Sequence, residues 1–393
     1  MTNQEEINYM IHLLKCAVSD ETPQIPTANL DWDFIFQLSL RHRITSTFYF
    51  GIKKLPESTV RKIPHMDAYI SSYKMNLVSD ANRAYELERL QPVLIQHNID
   101  YMFLKGSVIK NYYPDTSMRY MNDMDILFRG ADFKVIDHIF EDLGYEILHK
   151  DAKDTAYKNP INKVVIEMQP HLIDMGYTRW YDYLEKIWEK CTHKGNAYEM
   201  SQEDFYIYHI IHMAKHFLNG GIGLIHMIDV YIMLKNFQID LDYVNNQLKE
   251  IGLIRFQQTI RLLIRHWFSS EDLHWISDEN MLSSEEIKLL TKYILRGGAF
   301  GSRKQQEINH IVSRGDEKRS IRKKLFPNMT IMVNYYGQSL RRYPFLLPFY
   351  WIRLNISRLL HLNKESKTII NNMNSISEKD LSETKRIMDI CGL

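Results

Sequence analysis

The hydrophobic period of this chain changes twice, and no other feature limits its possible folds as strongly. Up to residue 97 the apolar residues recur every three or four positions. Ile7, Met10, Ile11, Leu14 and Ala17 make one such stripe. Phe34, Ile35 and Leu38 make another, within a helix predicted over Asp31 to Tyr49 with Asp31 as its cap. The Pro-bearing connector "DETPQIPTANLD" separates them, and a longer helix is predicted from about Asp67 to His97. From residue 98 the pattern shortens. "NIDYMFLKG" (98–106), "DMDILF" (123–128), "GYEILHK" (144–150) and "NKVVIEMQ" (162–169) read as strands rich in Ile, Val, Tyr and Phe. Helical stretches at Ser107 to Tyr113 and Ala131 to Leu143 separate the first three. After Trp180 the helical period returns and is expected to persist to the end. The predicted class is α+β: a helical N-terminal region at 1–97, a small α/β unit with a mixed sheet at 98–172, a helical C-terminal domain at 173–362 and a polar tail at 363–393.

Bulk properties exclude several classes of function. With 49 Lys and Arg against 48 Asp and Glu the net charge is +1, which gives no basic coat for nucleic acid. Cys16, Cys191 and Cys391 lie far apart without a CxxC pair, as expected for a reducing compartment. The opening MTNQEEINYM is acidic where a secretory leader is basic and then apolar. No stretch approaches the roughly 20 apolar residues of a membrane span. A cytoplasmic protein is the expectation.

The α/β unit concentrates the chemistry. Gly106 and Ser107 stand where a strand hands over to a helix. Free backbone N–H groups and the helix dipole point outward there, which suits a phosphate and equally suits a plain turn with a cap. Asp123 and Asp125 are separated by one residue at the mouth of a strand, so period two places both on one face. Two carboxylates so close repel each other unless a cation neutralises them, and Mg²⁺ takes such hard oxygen ligands together with substrate phosphates. Glu167 is a lone acid inside the apolar run "VVIEM". If its strand lies beside that of Asp125, the three acids form a cluster able to hold two metal ions about 3.5–4 Å apart. The alternatives are a solvated Asp-rich turn and an outward-facing residue at a sheet edge.

Taken together, the Gly-Ser turn, the Asp-x-Asp strand and a third acid on a later strand resemble the DNA polymerase beta-like nucleotidyltransferase superfamily. Within it, the chain resembles a bacterial family labelled uncharacterised nucleotidyltransferase. The matching stretches include "DWDFIFQLSLRHRITSTFYF" (31–50), "LKGSVIKNYYPDTSMRYMNDMDILF" (104–128), "HMAKHFLNGGIGLIHMIDVYIML" (212–234) and "LRGGAFGS" (295–302). The resemblance implies a nucleotidyltransferase palm over 98–172, flanked by helical regions. It also implies Mg²⁺-dependent transfer of a nucleoside monophosphate from a nucleoside triphosphate such as ATP to an acceptor, which the sequence does not name. Gly106 and Ser107 would hold the triphosphate, and Asp123, Asp125 and Glu167 would bind metal, with Glu167 also able to accept the acceptor's proton. Lys105 and Arg119 would either neutralise phosphate charge or form structural ion pairs. Where the family often has acid-x-His after the third acid, this chain has Gln169, with His171 two positions later. The alternative is a catalytically silent relative that binds a nucleotide or a partner.

Other signals point elsewhere. His209, His212 and His216 share one helical face, with Asp229 further on. They read as histidines packed against the palm or lining the nucleotide cleft, or less favourably as the metal site of a hydrolase. Lys215 is a candidate contact to the nucleotide or acceptor. "GGIG" (220–223) and "GGAFGSRK" (297–304) lack a P-loop's Gly-Lys-Ser/Thr and read as helix-ending turns, although Arg303 and Lys304 could reach a triphosphate. The run "RGDEKRSIRKK" (314–324), with Arg341, Arg342, Arg353 and Arg358, makes the last third locally basic. That is either a solvated face or a surface for an anionic acceptor such as RNA. "PFLLPFYWIRLNISRLL" (344–360) is expected to dock onto the helical domain, the alternative being an amphipathic segment on a bilayer surface.

Overall fold

The structure is a computed structural model and describes residues 3–19, 21–151, 153–268, 282–299, 301–314, 326–337, 339–360 and 376–393. Seven strands, β1 (Asp100–Phe103), β2 (Met124–Arg129), β3 (Glu146–Lys150), β4 (Thr155–Lys158), β5 (Val165–Gln169), β6 (Thr192–Lys194) and β7 (Ala197–Glu199), form one sheet. Their order is β3-β4-β5-β2-β1-β7-β6. β2 runs antiparallel to β1 and parallel to β5, β7 runs parallel to β1, and the other neighbours are antiparallel. The sheet is therefore mixed, as expected.

The alternation along β2 assigns its two faces. Met124, Ile126 and Phe128 join Ile166 and Met168 in one core, beneath Leu90 and Leu94 of the Met66–Gln96 helix and Ile136, Ile139 and Phe140 of the Phe133–Asp142 helix. Leu127 turns the other way and, with Met102 and Leu104, enters the larger core built by the Gln202–Leu218 and Leu224–Asn236 helices. Asp125 shares this second face. Each fully buried Ile, Phe or Met on either side contributes roughly 1.5–3 kcal/mol, so a one-residue slip of β2 would forfeit both cores at once.

Four elements differ from the sequence expectation. β4 is buried at Thr155, Ala156 and Tyr157 and so shows no alternation to read. The β6–β7 hairpin has three residues per strand, too few to display a period, and it carries the sheet past residue 172 and interrupts the helical stretch after Trp180. Asp31 does cap its helix, accepting from Phe34 N at 2.9 Å. That helix ends at Arg41, however, because Arg43 has φ 56, and a second helix, Thr45–Ile52, follows. Finally, the stretch predicted as a polar tail contains the helix Glu378–Cys391, whose Ile387, Met388, Ile390 and Cys391 are buried in the larger core. Residues 315–324 of the basic run lie outside the described residues.

Candidate functional site

Strand pairing assembles the acids. Asp123 immediately precedes β2, Asp125 is the second residue of that strand, and the parallel register sets Asp125 opposite Glu167 of β5. All three line a cavity of about 260 Å³ together with Lys105, Gly106 and Arg119 from the sheet side. The opposite wall carries His209, His212 and His216 of the Gln202–Leu218 helix and His226 of the Leu224–Asn236 helix.

The charges in this cavity are incompletely matched. Lys105 Nζ donates to Asp125 Oδ1 at 2.5 Å. Burial opposes its charge, but Asp125, Tyr208 and Glu167 outweigh that, and the ammonium's pKa is raised. Its backbone stands at φ 48 in a conformation that costs a non-glycine residue on the order of 1–3 kcal/mol, so the side chain is held at this spot against local preference. Burial and then the charge of Asp125 raise the Asp123 carboxyl. Glu167 is pushed up to about 7, by burial first and by Asp125 second, with Lys105 only partly offsetting them. Three carboxylates thus share one directly paired ammonium, with the Arg43 and Arg119 guanidiniums further along the lining.

Three of the predicted phosphate contacts take other roles in this conformation. A Cβ on Gly106 would come within 2.9 Å of Met121 Cγ, so packing already requires glycine there. Ser107 turns away from the acids and lines a separate cavity of about 340 Å³ with Tyr101, Phe103 and Tyr112. Its Oγ is buried without a hydrogen-bond partner. The helix that Gly106 opens has only four residues before it tightens, which weakens the dipole argument made from the sequence. Arg119 is a structural ion pair: its Nε and Nη2 donate to Asp229 Oδ1 and Oδ2, each at 2.7 Å, and Tyr113 OH donates to the same carboxylate at 2.7 Å. Asp229 is fully buried, so this bidentate pair fixes the floor of the cavity and leaves Asp229 no spare role as a ligand.

The histidine wall is neutral. Burial lowers His209 to about 4 and His216 to about 3, and it lowers His212 and His226 further below the ordinary value. Nε2 of His212 and Nε2 of His216 lie 2.9 Å apart, so one ring donates to the other. Sequence reading missed His226, although its place three residues before Asp229 on the same helix was a usable signal. It also missed Arg43, which lines the cavity with its guanidinium 5.1 Å from the Tyr120 ring centroid.

The two glycine runs are turns, and they meet. Ser302 N donates to Gly220 O, and a Cβ on Gly301 would strike Gly220 C at 2.5 Å. This backbone contact brings Ala299 to the cavity, while Lys304 pairs with Asp380 at 3.4 Å. Neither Arg303 nor Lys304 is among the lining residues. Lys215 and His171 line a neighbouring cavity of about 310 Å³, where Lys215 pairs with Asp174 at 3.6 Å and His171 with Glu185 at 2.8 Å.

Among the described residues, one group of three brings metal-ligating atoms within 4.8 Å of one another: His149, Asp151 and Asp154 at the β3–β4 turn. It is a second acidic cluster, and Asp154 is close enough to help raise Glu167. Asp151 Oδ1 is already occupied by the backbone N–H groups of Lys153 and Asp154. Asp123, Asp125 and Glu167 share a wall without gathering as tightly, because Lys105 stands on Asp125.

No curated protein and no solved structure matches the chain. Residues 28–269, well over half of the 393, match the family described as uncharacterised nucleotidyltransferase, a span that holds every carboxylate and histidine of the cavity. The chain belongs to that nucleotidyltransferase family.

Proposed function

We propose that this cavity transfers a nucleoside monophosphate from a nucleoside triphosphate to an acceptor nucleophile, releasing pyrophosphate. The observation that carries the reading is the parallel register placing Asp125 opposite Glu167, with Asp123 at the strand mouth and one cavity in front of all three. The donor set fits Mg²⁺: it consists of hard carboxylate oxygens, and Asp123 and Glu167 are raised first by burial and then by the charge of Asp125, both of which a bound cation would offset. Asp123, Asp125 and Glu167 would hold a pair of such ions, whose chemistry is to neutralise the triphosphate and steady the charge that develops in an in-line displacement.

The chain's own groups divide the remaining work. The acceptor oxygen bonds to the α-phosphorus as the bond to the β-phosphate bridging oxygen breaks, and pyrophosphate leaves with that electron pair. Glu167, set opposite Asp125 by the parallel register, is placed in the same cavity to accept the proton of the attacking hydroxyl. Lys105 remains charged and is free to pass from Asp125 to a phosphate oxygen once Asp125 is otherwise engaged. The neutral histidine wall excludes water and offers hydrogen bonds without adding charge.

The hydrolase alternative loses support from Asp229, which is committed to Arg119. A binding-only relative is separated by experiment. Calorimetric titration with ATP, GTP, CTP and UTP, each with and without Mg²⁺, is expected to show Mg²⁺-dependent binding that the Asp123→Asn, Asp125→Asn double variant loses. Binding that ignores both Mg²⁺ and the double variant would overturn the assignment of the acids.

A further inference from the structure

The sequence expectation for residues 344–360 is that their apolar side chains dock onto the helical domain. Only one side of this segment does so. Leu347, Tyr350, Trp351 and Leu354 of the Leu347–Leu360 helix pack on Met332, Val333 and Leu340, forming a small core of their own with the Met329–Tyr336 helix. The opposite side is bare: Phe345 is 75% exposed, Phe349 63%, Ile352 59% and Ile356 51%. At about 100° per residue, Phe349, Ile352 and Ile356 fall within an arc of about 60°. Phe345 continues the same stripe from the turn before the helix. Large apolar side chains in a continuous row on a surface call for a covering partner.

The charges beside the row identify that partner. From Leu325 to Leu360 the sequence has four arginines and no Asp or Glu. Arg353 is exposed and lies about 40° around the helix from Phe349, while exposed Arg341 and Arg342 stand at the end of the row next to Tyr343, itself 45% exposed. An apolar stripe bordered by arginines and an aromatic hydroxyl, with no acid in the segment, is complementary to the anionic surface of a lipid bilayer. The apolar side chains reach the acyl boundary and the guanidinium groups meet headgroup phosphates. A protein partner would as a rule be met by charges of both signs around the rim.

We propose that this face seats the protein on an anionic membrane, with the Leu347–Leu360 helix lying in the plane of the interface. No described helix is long and apolar enough to cross a membrane, so the attachment is peripheral. Val333 of the same small core, and Gly337 at the end of the Met329–Tyr336 helix, also line the cavity that holds Asp154, His171 and Lys215. The proposal stands on the exposed row and its charges alone and does not require nucleotidyl transfer.

The test is co-sedimentation of the full chain with vesicles of phosphatidylcholine alone and of phosphatidylcholine with phosphatidylglycerol. Wild type is expected to pellet with the anionic vesicles and to be released as salt is raised. Phe349→Glu with Ile352→Glu is expected to weaken that binding by about tenfold or more. Arg341→Gln, Arg342→Gln and Arg353→Gln together should remove the preference for anionic lipid. Because these side chains face outward, circular dichroism and melting temperature should match wild type, and a variant that fails this check is replaced by Phe345→Ser with Phe349→Ser. Wild type remaining in the supernatant with both vesicle types would overturn the proposal. So would equal pelleting of wild type and the Phe349→Glu, Ile352→Glu variant. If wild type ignores vesicles but dimerises through this row, the face is a protein interface and the membrane assignment is wrong.

Discussion

Glu167 is where residue-scale physics makes the sharpest statement. Its folded carboxyl titrates at about 7 against an ordinary 4.5, raised by burial and then by Asp125. Between those values the folded chain binds more protons than the unfolded one, so this group's contribution to stability falls as pH rises from about 4.5 through 7. Glu167→Gln removes the penalty. The variant is expected to melt above wild type at about pH 8 and level with it at about pH 5, as read by thermal unfolding. Under the proposed function, Mg²⁺ at about pH 8 should raise the wild-type melting temperature and leave the variant nearly unchanged. A gap that is the same at both pH values would show that Glu167 is not under electrostatic strain. The acid was legible in the sequence because a carboxylate amid Val164, Val165, Ile166 and Met168 needs a reason to be there. The ties of Lys105 and Arg119 were not legible: Arg119 meets its partner 110 residues away, and only the folded packing of two helices on the sheet decides that.

At the scale of elements, the Gln202–Leu218 helix works in the opposite direction to Glu167. It carries three histidines that burial holds neutral, with His209 lowered to about 4 and His216 to about 3. Asp229 gives His209 partial relief, but Lys105, Lys215, Arg119 and His226 are bases that oppose a further positive charge on this face. Below about pH 6.5 the unfolded chain binds protons that the folded chain refuses, so stability falls as pH is lowered from about 6.5 toward 4. Replacing His216 by Gln should flatten this loss. The melting temperature of the variant is expected to fall less than that of wild type between about pH 7 and about pH 5, and an unchanged slope would place the titration elsewhere. The spacing of His209, His212 and His216 revealed a common helical face. It did not reveal what that face looks at, because the distance between the helix and β2 is set by Met102, Leu104 and Leu127 in the shared core. The β6–β7 hairpin illustrates the same limit: three-residue strands carry no period, and only their pairing with each other and of β7 with β1 makes them strands.

On the scale of the whole molecule, the chain's end returns to its middle. The Glu378–Cys391 helix lays Ile387, Met388, Ile390 and Cys391 into the large core, and Arg255 Nε donates to Ile390 O at 3.0 Å. Its ion pairs, Arg386 with Glu285 at 2.6 Å and Lys292 with Glu383 at 3.1 Å, lie at the surface, where solvent screening leaves them little weight. The buried Ile and Met side chains contribute roughly 1.5–3 kcal/mol apiece, so apolar packing and not charge holds this helix in place. Composition concealed it, since acids and lysines outnumber the few apolar residues that matter. Gln305 Nε2 donates to Thr384 Oγ1 at 3.1 Å, so the helix also braces Arg303–Arg314, whose first turn follows the glycine contact that brings Ala299 to the cavity. A chain ending at residue 375 should therefore lose several kcal/mol of stability, on the order of 5–9 from the three larger side chains. It should also bind nucleotide more weakly, although none of the removed residues lines the cavity. Glu383→Ala with Arg386→Ala, which removes the charges and keeps the packing, should shift the melting temperature by only a few degrees. Thermal unfolding of the three proteins, with nucleotide titration of each, separates the two contributions. If the charge-removed variant is as unstable as the truncated chain, ion pairs hold the helix after all. If the truncated chain unfolds early but binds nucleotide as wild type does, the brace does not reach the cavity.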